Sequence, residues 1–243
     1  MRYSILSLGL LSLSPLVAGH SAIIKATGDM GGMGSAIGVV KDTPRDGTRR
    51  DPFQQDATRF KGQNKATCGQ TVGAGENDIN AGTKAVMADM GNTLPQVSQG
   101  GEVQMTLHQV NGDGAGPYAC QVDATGTGAN FVDMQVTQNV PGKRGNDRDG
   151  AKTDFPLKAT MPAGMTCSGN VAGQANACVV RCMNQARAGP FGGCVPVQMV
   201  NAAAGNGTAA AKLRRAPRKE KVAEDLENDP EFLAELRADG EEI

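Results

Sequence analysis

Six cysteines constrain this chain more than any other feature, because all six follow an N-terminal export signal. They are Cys68, Cys120, Cys167, Cys178, Cys182 and Cys194. Arg2 opens the signal, the apolar run ILSLGLLSLSPLV follows, and Val17-Ala18-Gly19 offers the small side chains at which a signal peptidase cuts. That run is too short and too interrupted for a membrane span, which takes about 20 apolar residues. The reading is a secreted protein, extracellular or wall-associated, with residues 1–19 removed and His20 left as its first residue. An even number of cysteines in an oxidising compartment means three disulfides, with connectivity open. A cysteine zinc site is disfavoured, because Cys178 and Cys182 form the only close pair.

Between the cysteines the chain alternates in short segments. In EVQMTLHQV, Val103, Met105 and Leu107 share one face, and Gln104, Thr106 and His108 share the other. FVDMQVT sets Val132, Met134 and Val136 against Phe131, Asp133 and Gln135; ACVVRCM sets Cys178, Val180 and Cys182 on one side. CVPVQM alternates less regularly, from Cys194 to Met199. Period-two patterning bounded by turn residues marks strands. With 33 Gly, 12 Pro and no convincing amphipathic helix, the chain reads as all-β. The expected architecture is an immunoglobulin-like antiparallel β-sandwich over residues 20–200, stapled by disulfides and carrying long Gly-rich loops at about 28–56 and 139–156.

After residue 200 the composition turns to small and basic residues and then to acidic ones, which reads as a disordered, charged C-terminal extension over 201–243. Asn206 heads a glycosylation sequon there. Arg214-Arg215 is a candidate processing site, and DPEFLAEL a candidate short helix begun by Asp229 and Pro230. A formal net charge of −1 argues against a nucleic-acid partner.

The chain has two histidines, and one of them is His20. A histidine at a free N-terminus binds metal through both its amine and its ring, and a second imidazole completes a set of three nitrogens. Such a set favours one copper ion. His108 is the other ring, so His20 and His108 are the candidate metal ligands of a copper histidine brace. The plainer alternative is an incidental first residue and a hydrogen-bonded strand histidine.

The segments HSAIIKATGD, TPRDGTRRDPFQQDATRF, MTLHQVNGDGAGPYAC, FPLKATMPAGMTCSG and CVVRCMNQARAGPFGGCVPVQ together resemble the Egh-like secreted virulence factors of pathogenic fungi, which include appressorium-associated cell-surface proteins of the MAS type. The resemblance spans residues 20 to 200 and implies a fungal surface protein linked to host penetration. A weaker resemblance, resting on His20 and His108, is to lytic polysaccharide monooxygenases. It implies a second-shell glutamine, for which Gln198 is the candidate, and an axial aromatic two residues further on. That position holds Val200 here, so Phe191 and Tyr118 are the axial candidates.

The functional expectation is a monomeric copper protein acting oxidatively on a cell-wall polysaccharide, with His20, His108 and Gln198 as the catalytic set. The alternative is a non-catalytic wall-associated protein that binds or masks polysaccharide or host surface during penetration. Sparse flat aromatics, with no Trp in the chain, supply poorly a stacking grip on crystalline chitin or cellulose and, with the Gly-rich loops, favour the non-catalytic alternative. Polar loop contacts to a softer or charged polymer stay open. A hydrolase is disfavoured, since no acidic pair and no GxSxG elbow is marked out.

Overall fold

The computed structural model describes residues 20–200. Asn206, Arg214-Arg215 and the DPEFLAEL stretch lie outside them, as do residues 1–19. In chain order the strands are β1 (Ser21–Gly28), β2 (Gly31–Gly34), β3 (Thr58–Arg59), β4 (Gln70–Thr71), β5 (Gly75–Glu76), β6 (Gln96–Val97) and β7 (Glu102–Gln109). They continue as β8 (Ala119–Asp123), β9 (Phe131–Asp133), β10 (Gln135–Gln138), β11 (Thr153–Thr160), β12 (Gly169–Val171), β13 (Gln174–Met183) and β14 (Phe191–Met199). One helix, α1 (Ile79–Asp89), lies between β5 and β6.

The fold is the all-β antiparallel arrangement that the alternation indicates. One sheet has the order β10-β11-β7-β1-β2; the other runs β5-β4-β3-β14-β13-β8-β9, with β12 on β13 and β6 parallel to β14. The main core holds Ile23, Val103, Met105, Leu107 and Leu157 of the first sheet with Val122, Val180, Val195 and Val197 of the second. Burying each such side chain contributes about 1.5–3 kcal/mol. A second cluster of Ile37, Phe60, Cys68, Val179 and Cys194 covers the other face of the second sheet. Strand β13 is therefore buried on both sides, Cys178, Val180 and Cys182 on one and Val179 on the other.

Three disulfides close the frame: Cys68–Cys194, Cys120–Cys182 and Cys167–Cys178. In β14 the core face is Val195, Val197 and Met199, so Cys194 faces the second cluster instead. FVDMQVT does not form one strand. It leaves the second sheet after β9 and joins the first as β10, with buried Met134 at the crossing and Val132 exposed. Phe131 takes up the guanidinium of buried Arg181, 3.7 Å above its ring centre. Arg181 also donates to the carbonyls of Ala66 (2.6 Å) and Thr67 (3.0 Å).

Helix α1 is the element that the sequence pattern hides. Asp78 caps it by accepting the Ala81 N–H at 2.6 Å, yet only Thr83, Val86 and Met87 are buried along it. Three inward positions in 11 residues leave little amphipathic signal. The two long loops are ordered by polar anchors. Arg45 grips buried Asp56 with both guanidinium nitrogens, at 3.0 and 2.5 Å, and Asp56 also accepts the Val40 N–H. Loop 139–152 is tied to residues 109–116 through Gly116 N–H to Pro141 O, Gly145 N–H to Gly116 O, Asp147 N–H to Gly112 O and Lys152 N–H to Gln109 O.

Candidate metal centre

The β1–β7 ladder fixes the two histidines relative to each other. Ser21 pairs with Gln109 and Ala22 with His108, and the Val110 N–H continues the ladder to the His20 carbonyl at 3.0 Å. His20 and His108 thus occupy diagonal positions across one antiparallel pair, a separation that aromatic and long side chains can bridge. Both are buried, at 7% and 2% exposure.

On its other side β7 pairs with β11, which sets Asp154 directly opposite His108. The Asp154 carboxylate lies 2.6 Å from His108 Nδ1. A carboxylate at Nδ1 favours the tautomer that carries its proton there and leaves the Nε2 lone pair available. His108 Nε2 is buried and has no hydrogen-bond partner among the described residues. A buried ring nitrogen without a hydrogen-bond partner, opposite an oriented one, has the disposition that metal ligation requires of a histidine.

His20 is held by its backbone. Its N–H donates to Asn111 Oδ1 at 2.7 Å, and its ring lies against Phe191 with centroids 4.9 Å apart. The turn Gly112–Gly114 packs behind it. A Cβ on Gly114 would lie 2.1 Å from the His20 carbonyl oxygen, so this position admits no side chain. Of the two aromatic candidates, Phe191 is the one brought to His20. Tyr118 sits in the core, donates to the Gly114 carbonyl at 2.8 Å and accepts from Ser21 Oγ at 2.7 Å. Burial raises its pKa above the ordinary phenol range, against a smaller lowering by Ser21. It braces the turn behind His20.

Gln198 is placed elsewhere. It follows Phe191 by seven residues on the same strand, roughly 23 Å along an extended chain. There it pairs with Ala177 and Gln96 and donates to the Ala175 carbonyl at 3.0 Å. The residues that do support the histidines are Asp154, Asn111 and Asn184. Asn184 Nδ2 donates to the carbonyls of Asp113 and Ala115, and its Oδ1 accepts the Phe191 N–H at 2.9 Å. Asn111 was within reach of sequence reading, since it opens the NGDG turn just after the His108 strand. Asp154 was not, because its place opposite His108 depends on a ladder partner 46 residues away.

Among the described residues no three His, Cys, Asp or Glu side chains gather as a metal site. A metal at these histidines therefore needs a donor of another kind, and the amine of a chain that began at His20 would be one. An amine and two imidazoles are the donor chemistry of a tetragonal copper site, so the residues fit the ion.

A family model described as Egh16-like virulence factor matches residues 18–192. The chain is 53% identical over 236 residues to an appressoria-specific virulence factor, GAS1, of the fungus Pyricularia oryzae, covering 94% of each chain. It is 42% identical over 127 residues to a second, GAS2, of the same fungus, covering 51% of this chain and 43% of that one.

Proposed function

Because the chain belongs to the Egh16-like virulence factor family, we propose that it is a secreted, monomeric fungal surface protein that holds one copper ion between His20 and His108 and acts oxidatively on a cell-wall polysaccharide. The single observation that carries this reading is His108, with Nδ1 engaged by Asp154 and Nε2 buried and unpartnered, diagonal to His20 on the ladder. No described helix is long and apolar enough to cross a membrane.

When bound, copper supplies one-electron chemistry with oxygen or peroxide that ends in hydrogen abstraction from a glycosidic carbon. The chain supplies the setting. Asp154 holds the proton at His108 Nδ1, which leaves the Nε2 lone pair to a ligand. Asn111 fixes the His20 nitrogen, which changes from amide to amine on cleavage. Phe191 covers one side of the His20 ring and excludes water there. Gln198 has no part in this arrangement.

The test is intact-mass and calorimetric titration with Cu(II) of protein secreted by a fungal host. Mature chain starting at His20 should bind one ion, and His108→Ala should abolish tight binding. A different first residue, or no copper taken up at micromolar concentration, would defeat the proposal. The burial of both rings favours a second reading, a non-catalytic protein that binds or masks wall polysaccharide. Copper-loaded protein that releases no oxidised oligosaccharides from a panel of wall polymers, with reductant present, would decide for it.

A further inference from the structure

The richest unexplained feature lies on the turn packed behind His20. A cleft of about 410 Å³ is lined by Asp113, Lys143, Arg144, Asn146, Gln185 and Arg187, with Ala186 and Ala188. That volume lies within the range of small-ligand sites, about 300–1,000 Å³. Three of its side chains are cations and one is an anion, although the chain as a whole carries a formal charge of −1. None of Lys143, Arg144 and Arg187 has an ion-pair partner among the described residues. The single carboxylate, Asp113, is occupied by the Asn146 amide.

The cations are held together by backbone. Lys143 and Asn146 exchange backbone hydrogen bonds at 3.0 and 3.1 Å, closing a tight loop. Within it Arg144 takes a left-handed conformation, φ 54°. Gly145, φ 78°, packs so closely on the neighbouring loop that a Cβ would lie 2.5 Å from the Ala186 nitrogen. This contact fastens the loop of Lys143 and Arg144 to the loop of Arg187. The same walls reach His20. Asp113 belongs to the turn packed behind His20, and Asn184 joins that turn to the Phe191 backbone.

We propose that this cleft binds an acidic, carboxylate-bearing stretch of polysaccharide and presents the adjoining chain to the histidines; the inference rests on the reading that the protein acts on wall polysaccharide. Guanidinium groups take carboxylates in bidentate fashion, and the Asn146 and Gln185 amides suit sugar hydroxyls. A cleft of this kind also accounts for saccharide recognition without tryptophan platforms.

The test uses mature protein freed of metal by chelator, so that it does not depend on copper. Calorimetry compares oligogalacturonides with cello- and chito-oligosaccharides of equal length and with polyphosphate, at low and high salt. The uronide should bind best and weaken as salt rises. Lys143→Gln with Arg187→Gln should weaken it by about tenfold or more, the loss of two charge pairs, whereas Lys84→Gln, an exposed cation of α1 away from the cleft lining, should leave it unchanged. Arg144→Asn, which tolerates the left-handed backbone, should weaken it as well. Neutral sugars or polyphosphate bound as tightly, or uronide binding indifferent to these substitutions, would overturn the cleft assignment and leave the wall-polysaccharide reading standing. No binding to any saccharide would overturn both. Salt dependence in the unsubstituted protein decides the matter should a variant fail to fold.

Discussion

Replacing Asp123 by asparagine tests whether the frame depends on one buried charge. Asp123 ends β8 with no exposed surface. One carboxylate oxygen accepts Thr125 N–H at 2.8 Å and Thr125 Oγ1 at 2.6 Å. The other accepts Thr127 Oγ1 at 3.1 Å, Ala129 N–H at 3.0 Å and Asn130 N–H at 3.4 Å. Burial alone would push its pKa up, but the hydrogen bonds from Thr125, Asn130 and Ala129 together outweigh burial and hold it below the usual carboxylate value. Asp123→Asn keeps the shape and turns an NH₂ toward two backbone N–H groups. Each orphaned donor costs about 1–3 kcal/mol, so the variant should lose about 2–6 kcal/mol, or roughly 4–24 °C of Tm for a domain of this size. The sign of the pH dependence follows from the lowered folded pKa. Asp123 stabilises the fold fully above the unfolded value of about 3.9, and that contribution disappears as pH falls through the folded value. Thermal melts followed by circular dichroism at neutral and strongly acidic pH should show a wide gap between the two proteins that narrows in acid. A gap below about 0.5 kcal/mol at neutral pH, or one equal at both, would refute the reasoning.

Two further outcomes follow from the site. Asp154→Asn should weaken copper binding by about 10–100-fold, read by competition with a chelating dye, and should alter the His108 ring signals in NMR of the metal-free protein. Tyr118→Phe strands the Gly114 carbonyl and the Ser21 hydroxyl and should cost about 1–3 kcal/mol in urea denaturation; in protein that begins at His20, Tyr118 is the one tyrosine of the sequence, and its near-ultraviolet titration should begin above the ordinary phenol range.

What the sequence discloses here is what local alternation can encode. Strand β7 is legible residue by residue, because Val103, Met105 and Leu107 meet one core while Gln104 and Thr106 stay outside it. FVDMQVT shows the limit of that logic. Its period is unbroken, yet its two halves join different sheets, a choice made by β8 and β11 and not by the segment. Helix α1 escapes notice for the opposite reason, having too few inward residues to set a period. The histidines stand out in a chain that has only two, but Asp154 gains meaning only through register. Gln198 is a candidate only by the resemblance, which puts an aromatic two residues further on where this chain has Val200; the aromatic beside His20, Phe191, precedes Gln198 on β14.

The disulfide pattern carries a consequence for biogenesis. Every one of the three bonds has an end on β13 or β14, the last hairpin of the described fold, while Cys68, Cys120 and Cys167 lie upstream. Were the polypeptide threaded N-terminus first into an oxidising lumen, it would present three thiols before any rightful partner had emerged. The pairs open to them at that stage would all be wrong ones, and correct maturation would then lean on thiol exchange by an isomerase once the closing hairpin arrived.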